Sequence, residues 1–176
     1  EGKRITIAAW LFLPDDLSKL DDKPVTMTLL NGGSYDKRYF HVEVPGRIGY
    51  SAAEYLASLS NIVLVPDHLG MGESTRVPTQ KKATRHIVAQ ANHAAVTQFY
   101  ERLAKGSLHE NLPALPHVVK IGAGHSMGGM VALDLTAGGG YTPELLARAI
   151  GPGGQVYGQS QPRDPDRAPP APAAPE

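Results

Sequence analysis

Gly124-His125-Ser126-Met127-Gly128-Gly129 is the segment of this chain best equipped for covalent chemistry. It follows the apolar residues Val118, Val119 and Ile121 and precedes a helix-compatible run from Met130 to Leu135. That pattern predicts a buried strand turning abruptly into a helix. A turn so tight leaves no room for side chains beside the serine, and Gly124 and Gly128 supply that room. Ser126 then stands at the carboxyl edge of a sheet, where its hydroxyl can attack a carbonyl carbon. The N–H of Met127 points at the oxygen that takes up negative charge. In a chain with 19 glycines the pentapeptide alone is weak evidence. A serine in an ordinary glycine turn is the alternative, and the upstream residues must decide.

Two further segments end at the same place. Asn31-Gly32-Gly33-Ser34 follows the strand-like run from Val25 to Leu30, and the 67–74 loop follows the β-branched run from Ile62 to Val65. In an open parallel sheet, ligands bind outside the carboxyl ends of the strands. Gly32 and Gly33 let the backbone approach a ligand and offer a second amide beside that of Met127, unless they are an ordinary turn. Asp67 either acts directly or, more commonly for a carboxylate in a glycine-rich loop, holds that loop's own amides. His68 is the one histidine expected at this edge, a candidate proton acceptor. His125 lies inside the turn and is expected to be packed or turned away. His86 and His93 lie two helical turns apart, about 10 Å by helical rise, too far to share a metal ion.

The elements that must carry these loops alternate. Residues 4–13 read as a strand ended by Pro14, followed by a charged loop over 15–23. Ser51 and Glu54 have capping-box spacing and open a short helix carrying Tyr55, Leu56 and Leu59. The longest helix is expected over 79–105, with Ile87, Ala91, Ala95, Phe99 and Leu103 as its buried stripe and Gly106 as its stop. A loop broken by Pro113 and Pro116 leads to the strand before Ser126. Strands alternating with helices predict an α/β fold, a mostly parallel sheet with helices on both faces.

Composition excludes several classes. Seventeen basic and seventeen acidic residues cancel, so no charge imbalance favours nucleic acid or an anionic membrane. With no cysteine there is no disulfide framework, thiolate metal site or cysteine nucleophile. No apolar run reaches the roughly 20 residues that span a bilayer, and no signal-peptide pattern is visible, so a cytoplasmic location is the default expectation. The chain starts at Glu1, as an excerpt or a processed chain would.

The Asn31-Gly32-Gly33-Ser34 turn, the loop Asp67-His68-Leu69-Gly70-Met71-Gly72-Glu73-Ser74 and the Gly124-to-Gly129 turn, in that order, resemble the α/β-hydrolase family over residues 3–136. The resemblance implies that Ser126 is the nucleophile and that Met127 and Gly33 (or Ser34) supply the oxyanion-hole amides. Asn31 stands where the family often has histidine, and Gly32, Asp67, His68 and His125 shape the substrate site. It further implies acyl transfer to water on a small-molecule ester, with no cofactor and no metal. The family's acid and histidine follow the nucleophile, yet none of the seven histidines here lies beyond Ser126. Asp134 falls in the helix starting at the turn, and Asp164 and Asp166 fall in the tail. The expectation is therefore the front half of a hydrolase, an incomplete sheet whose open edge invites self-association.

A second, shorter resemblance covers residues 131–160, which are similar to the opening motif of class I S-adenosylmethionine-dependent methyltransferases. It implies that Asp134, Gly138 and Gly140 face S-adenosylmethionine. The two readings compete, because residues 131–135 must be helix in the first and strand in the second; helix is the expectation adopted. The expected domains are a partial hydrolase unit over 1–137, a glycine-rich segment with a short helix and strand over 138–160, and a disordered Pro/Ala-rich tail over 161–176. A hydrolase-like module that binds a ligand or partner without catalysis is the third reading.

Overall fold

The computed structural model of the chain describes residues 4–79 and 83–137, with side chains through residue 132. The expectations for 138–160 and 161–176, including Gly138 and Gly140, lie outside the described residues. Among the described residues four strands form one sheet: β1 (Ala9–Phe12), β2 (Val25–Leu30), β3 (Ile62–Pro66) and β4 (Val119–Gly124), in the order β1-β3-β2-β4. β2 is parallel to both β3 and β4, while β1 runs antiparallel to β3. The register that matters most sets Leu30 opposite Gly124, so the carboxyl ends of β2 and β4 lie level.

Among the described residues three α-helices cover the sheet: α1 (Ala52–Ser58), α2 (Arg85–Ala104) and α3 (Met127–Ala137). Side chains alternate across a strand, so β3 serves both layers. Val63 and Val65 pack with Leu29 against Ala53 and Ala57 of α1. Ile62 and Leu64 point the other way, onto Phe99 and Leu103 of α2 and onto Leu112. Leu30 meets Val88 and Ala89 of α2 and Val131 and Ala132 of α3 on that second face. A mostly parallel sheet clothed on both faces is thus the observed architecture. β4 pairs with β2 alone among the described residues, and Val119 and Ile121 stay 46% and 41% exposed, so the strand before Ser126 is not the buried one that its apolar residues predict.

Local signals hold where the sequence is unambiguous. The Ser51 hydroxyl accepts the Glu54 amide at 3.0 Å, opening α1. That helix buries Ala53 and Ala57, whereas Tyr55 and Leu59 face water, because alanines let it lie close to the sheet. Past α2, the Gly106 amide bonds to Leu103 O and the Ser107 amide to Arg102 O, with Gly106 at φ 64, a Schellman ending that needs a left-handed residue.

Three further expectations are corrected. Strand β1 is shorter than 4–13, since residues before Ala9 turn to the 67–75 loop. Asp67 N bonds to Ala8 O, Ala8 N to the Ser74 hydroxyl and Thr75 N to Thr6 O, and these bonds replace a ladder. Helix α2 starts at Arg85 beneath a Thr84 cap, not near 79. Its buried positions are Val88, Ala89, Asn92, Phe99 and Leu103, while Ile87 is 39% exposed. The stripe shifts because the first half of α2 packs on α3 and its second half on the sheet. Leu103→Ala should therefore cost about 2–5 kcal/mol in urea unfolding, and Ile87→Ala less than about 1 kcal/mol. Equal losses would restore the simpler four-residue stripe.

Candidate active site

At the end of β4 the parallel ladder runs one residue further, with the His125 amide bonded to Leu30 O at 3.0 Å. The chain then reverses at Ser126, whose φ is 55. A non-glycine residue in the left-handed region costs about 1–2 kcal/mol, so the surrounding structure must hold it there. The other described non-glycine residue with positive φ, Ser60, lies just past the end of α1, where such a conformation is common. Gly128 N bonds to His125 O and Gly129 N to Ser126 O, starting α3 immediately. A Cβ on Gly124 would overlap the Gly128 carbonyl, and one on Gly128 would overlap the carbonyls of Leu30 and Asn31. Both glycines are required by contact with backbone, which cannot move aside. Ser126 is exposed, and its hydroxyl has no hydrogen-bond partner among the described residues.

The glycine turn after β2 lies against this reversal. A Cβ on Gly33 would sit 3.1 Å from Met127 Sδ, and one on Gly32 would sit 3.2 Å from His125 Nδ1. Tyr35 N closes the turn onto Gly32 O at 3.1 Å. The amides of Gly33, Ser34 and Met127 donate no hydrogen bond among the described residues. The His125 ring is exposed and stacks on Tyr39 at 5.1 Å with an interplanar angle of 16°.

Beneath these loops lie two buried polar networks. Asp67, fully buried, accepts the Lys37 amide at 2.7 Å on Oδ1 and the Lys37 ammonium and Glu73 amide at 2.8 Å on Oδ2. The Lys37 ammonium also pairs with Glu73 and lies 5.0 Å from the centre of the Trp10 ring. Burial alone would lower the pKa of Lys37, but its bonds and charge attraction to Asp67 and Glu73 outweigh that and raise it. Asp67 thus does what a loop carboxylate commonly does, and a Cβ on Gly72 would overlap it.

His68 is fully buried too. Its Nε2 lies 2.7 Å from Asn31 O, which can only accept, so Nε2 carries the proton. Its Nδ1 lies 2.8 Å from Asn92 Nδ2, an amide nitrogen that can only donate, so Nδ1 is the acceptor. Both ring nitrogens are closed and desolvation lowers the pKa, which removes His68 as a base for Ser126. Asn31 is buried as well, its amide donating to Gly32 O and Tyr35 O. Asn31, Asp67 and His68 are thus buried beneath the loops and hydrogen-bonded to them. Lys37 and Asn92 escape sequence reasoning, because a loop lysine and a helix asparagine ordinarily face water.

Residues 131–135 are helical within α3, so the strand required by the methyltransferase resemblance does not form there; Asp134 lies on that helix. Two clefts among the described residues, one lined by Trp10, Phe12 and His41 and another by Ile7, Ala91 and Phe99, contain none of Ser126, Gly33 or Met127.

Two outcomes follow from this geometry. Gly128→Ala should lose about 3 kcal/mol or more of stability, whereas Gly122→Ala, whose Cβ would meet Ala132 at an ordinary 3.8 Å, should leave the thermal midpoint nearly unchanged. His68 is neutral in the fold, with its pKa below the ordinary 6.5. The unfolded chain then binds that proton more readily, so stability falls as pH drops below about 6.5, by at most about 1.4 kcal/mol per pH unit. Urea titrations at pH 7, 6 and 5 should show this slope, and His68→Gln should remove it.

Comparison with known proteins agrees with this arrangement. Residues 29–176 match the sequence model of the Alpha/beta hydrolase family. Among solved structures, Est1E from Butyrivibrio proteoclasticus, determined with ferulic acid bound, is similar at a TM-score of 0.51 and 19% identity, over 76% of this chain and 44% of that one. The likeness is one of fold, and the chain spans under half the length of that structure. No curated protein matches. With the strand-turn-helix at Ser126, the glycine turn beside it and a family match running through both, the chain belongs to the alpha/beta hydrolase family.

Proposed function

We propose that this chain carries the nucleophile and oxyanion hole of an esterase-type serine hydrolase. The observation that carries the reading is Ser126 at φ 55 between β4 and α3, exposed and next to unused amides. Strain at one serine, enforced by two glycines that tolerate no Cβ, makes little sense for an ordinary turn. In the proposed reaction Ser126 Oγ adds to the carbonyl carbon of an ester, and its proton passes to a base. The carbonyl oxygen becomes an oxyanion that accepts hydrogen bonds from Met127 N and from Gly33 N or Ser34 N. Collapse of the tetrahedral species expels the alcohol and leaves an acyl-serine, which water hydrolyses. Each oxyanion donor in such a site is worth about 10²–10³ in rate.

Nothing in this scheme needs a cofactor. Of the histidines at this edge, His68 is closed on both ring nitrogens and does not serve as the base, whereas His125 is exposed and meets Tyr39 only through its ring face.

A fluorophosphonate probe reads the nucleophile directly. The expected result is one covalent adduct on Ser126 of the folded protein, absent from Ser126→Ala. Folded protein that takes no adduct, or an adduct that survives the substitution, overturns the reading in favour of a hydrolase-like binding module.

A further inference from the structure

We propose that Asn92, on α2, is a positioning residue for the oxyanion hole, acting through His68 on the Asn31 peptide. This rests on the hydrolase reading of Ser126. The need for such a device arises at Gly32-Gly33. Two successive glycines have the widest backbone freedom of any pair, and no side chain of their own restricts them. An amide that must meet a developing oxyanion cannot be left to wander, because preorganisation is what gives it value.

The restraint arrives from below. Asn92 donates from Nδ2 to Val88 O at 3.0 Å, which fixes which way its amide faces. The same nitrogen donates to His68 Nδ1 at 2.8 Å, leaving the single ring proton on Nε2. That proton is delivered to Asn31 O at 2.7 Å, locking the peptide plane that leads into Gly32. Asn31 O is also one of the backbone atoms that a Cβ on Gly128 would strike. One carbonyl is therefore gripped by His68 on one side and touches the turn that holds the nucleophile on the other. The Asn31 side chain completes the clamp by bonding Gly32 O and Tyr35 O across the turn.

The cost of this arrangement points the same way. The buried side-chain atoms without a hydrogen-bond partner among the described residues are Asn31 Oδ1 and Asn92 Oδ1, both in this chain of contacts. Such orphans are rare in native structures and destabilise them. An apolar residue of the same shape at position 92 would avoid one of them. Asparagine there is explained by what its Nδ2 does to His68.

The test uses the full chain and three readouts. Asn92→Leu should stay folded and react with a fluorophosphonate at Ser126 about tenfold more slowly, as misplacement of a reacting group predicts. Exchange of the Tyr35 amide, which is bonded to Gly32 O, should quicken in the same variant. Asn92→Asp should restore neither, since a carboxylate has no proton to donate to Val88 O or to His68 Nδ1. In the wild-type protein at pH 7, the nitrogen shifts of His68 should report a neutral ring protonated at Nε2. Unchanged labelling and unchanged Tyr35 exchange in Asn92→Leu would overturn the proposal. So would an Nδ1-protonated or charged His68 in the wild type, a result that stands even if the leucine variant fails to fold. Absence of labelling in the wild type instead sinks the hydrolase reading, and Tyr35 exchange still decides whether Asn92 governs the turn.

Discussion

The structure turns on a backbone-to-backbone contact, the one between the first turn of α3 and the carbonyl end of β2. No Cβ fits at Gly128 because the carbonyls of Leu30 and Asn31 already occupy that space. The approach is possible only because β2 and β4 are adjacent and level, with Leu30 opposite Gly124 and the ladder continued by His125 N. From that contact the rest follows. The serine has to reverse with positive φ, α3 has to begin at Met127, and the glycine turn after β2 has to lie beside both. The edge of the sheet, and not any single loop, sets the distance between Ser126 and the amides of the glycine turn.

Adjacent strands bring loops together but do not stiffen them, and the buried polar groups take that second task. A buried ion pair such as Lys37–Asp67 contributes little net stability over an apolar substitute, since desolvation offsets most of the attraction. What it supplies is a fixed geometry. Lys37 bonds Asp67 through both its backbone and its side chain, and Asp67 holds the Glu73 amide as well. The loop after β2 is thereby joined to the loop after β3 at its far end, while His68 joins them at the near end. Each loop braces the other, with the exposed serine above both.

Legibility in the sequence follows the range of the interaction. Strands β2, β3 and β4, the Ser51 cap, the Gly106 stop and the reversal at Ser126 each depend on residues a few positions apart, and a linear reading sees them. The face of α2 depends on what lies above and below the helix. A four-residue spacing therefore pointed to Ile87 and Ala91, where the fold buries Val88, Ala89 and Asn92. Residues 4–8 have strand composition, yet their hydrogen bonds go to the 67–75 loop, which only the three-dimensional arrangement reveals. Lys37 and Asn92 are least visible of all. Their roles are defined by partners Asp67 and His68, 30 and 24 positions away.

The same distinction separates the two parts of the proposed chemistry. Stabilising an oxyanion needs amides held still, and β2, β4 and their supporting networks lie within one contiguous stretch of chain. Moving a proton needs a group whose ring nitrogen is open to the serine, and His68 illustrates why proximity to the edge is not enough. Burial that makes its Nε2–H a dependable donor to Asn31 O also leaves Nδ1 occupied and disfavours the charged form. A histidine cannot be both a fixed strut and a proton carrier at one position. In this fold His68 is the strut, held beneath the glycine turn by Asn92 on one side and Asn31 O on the other.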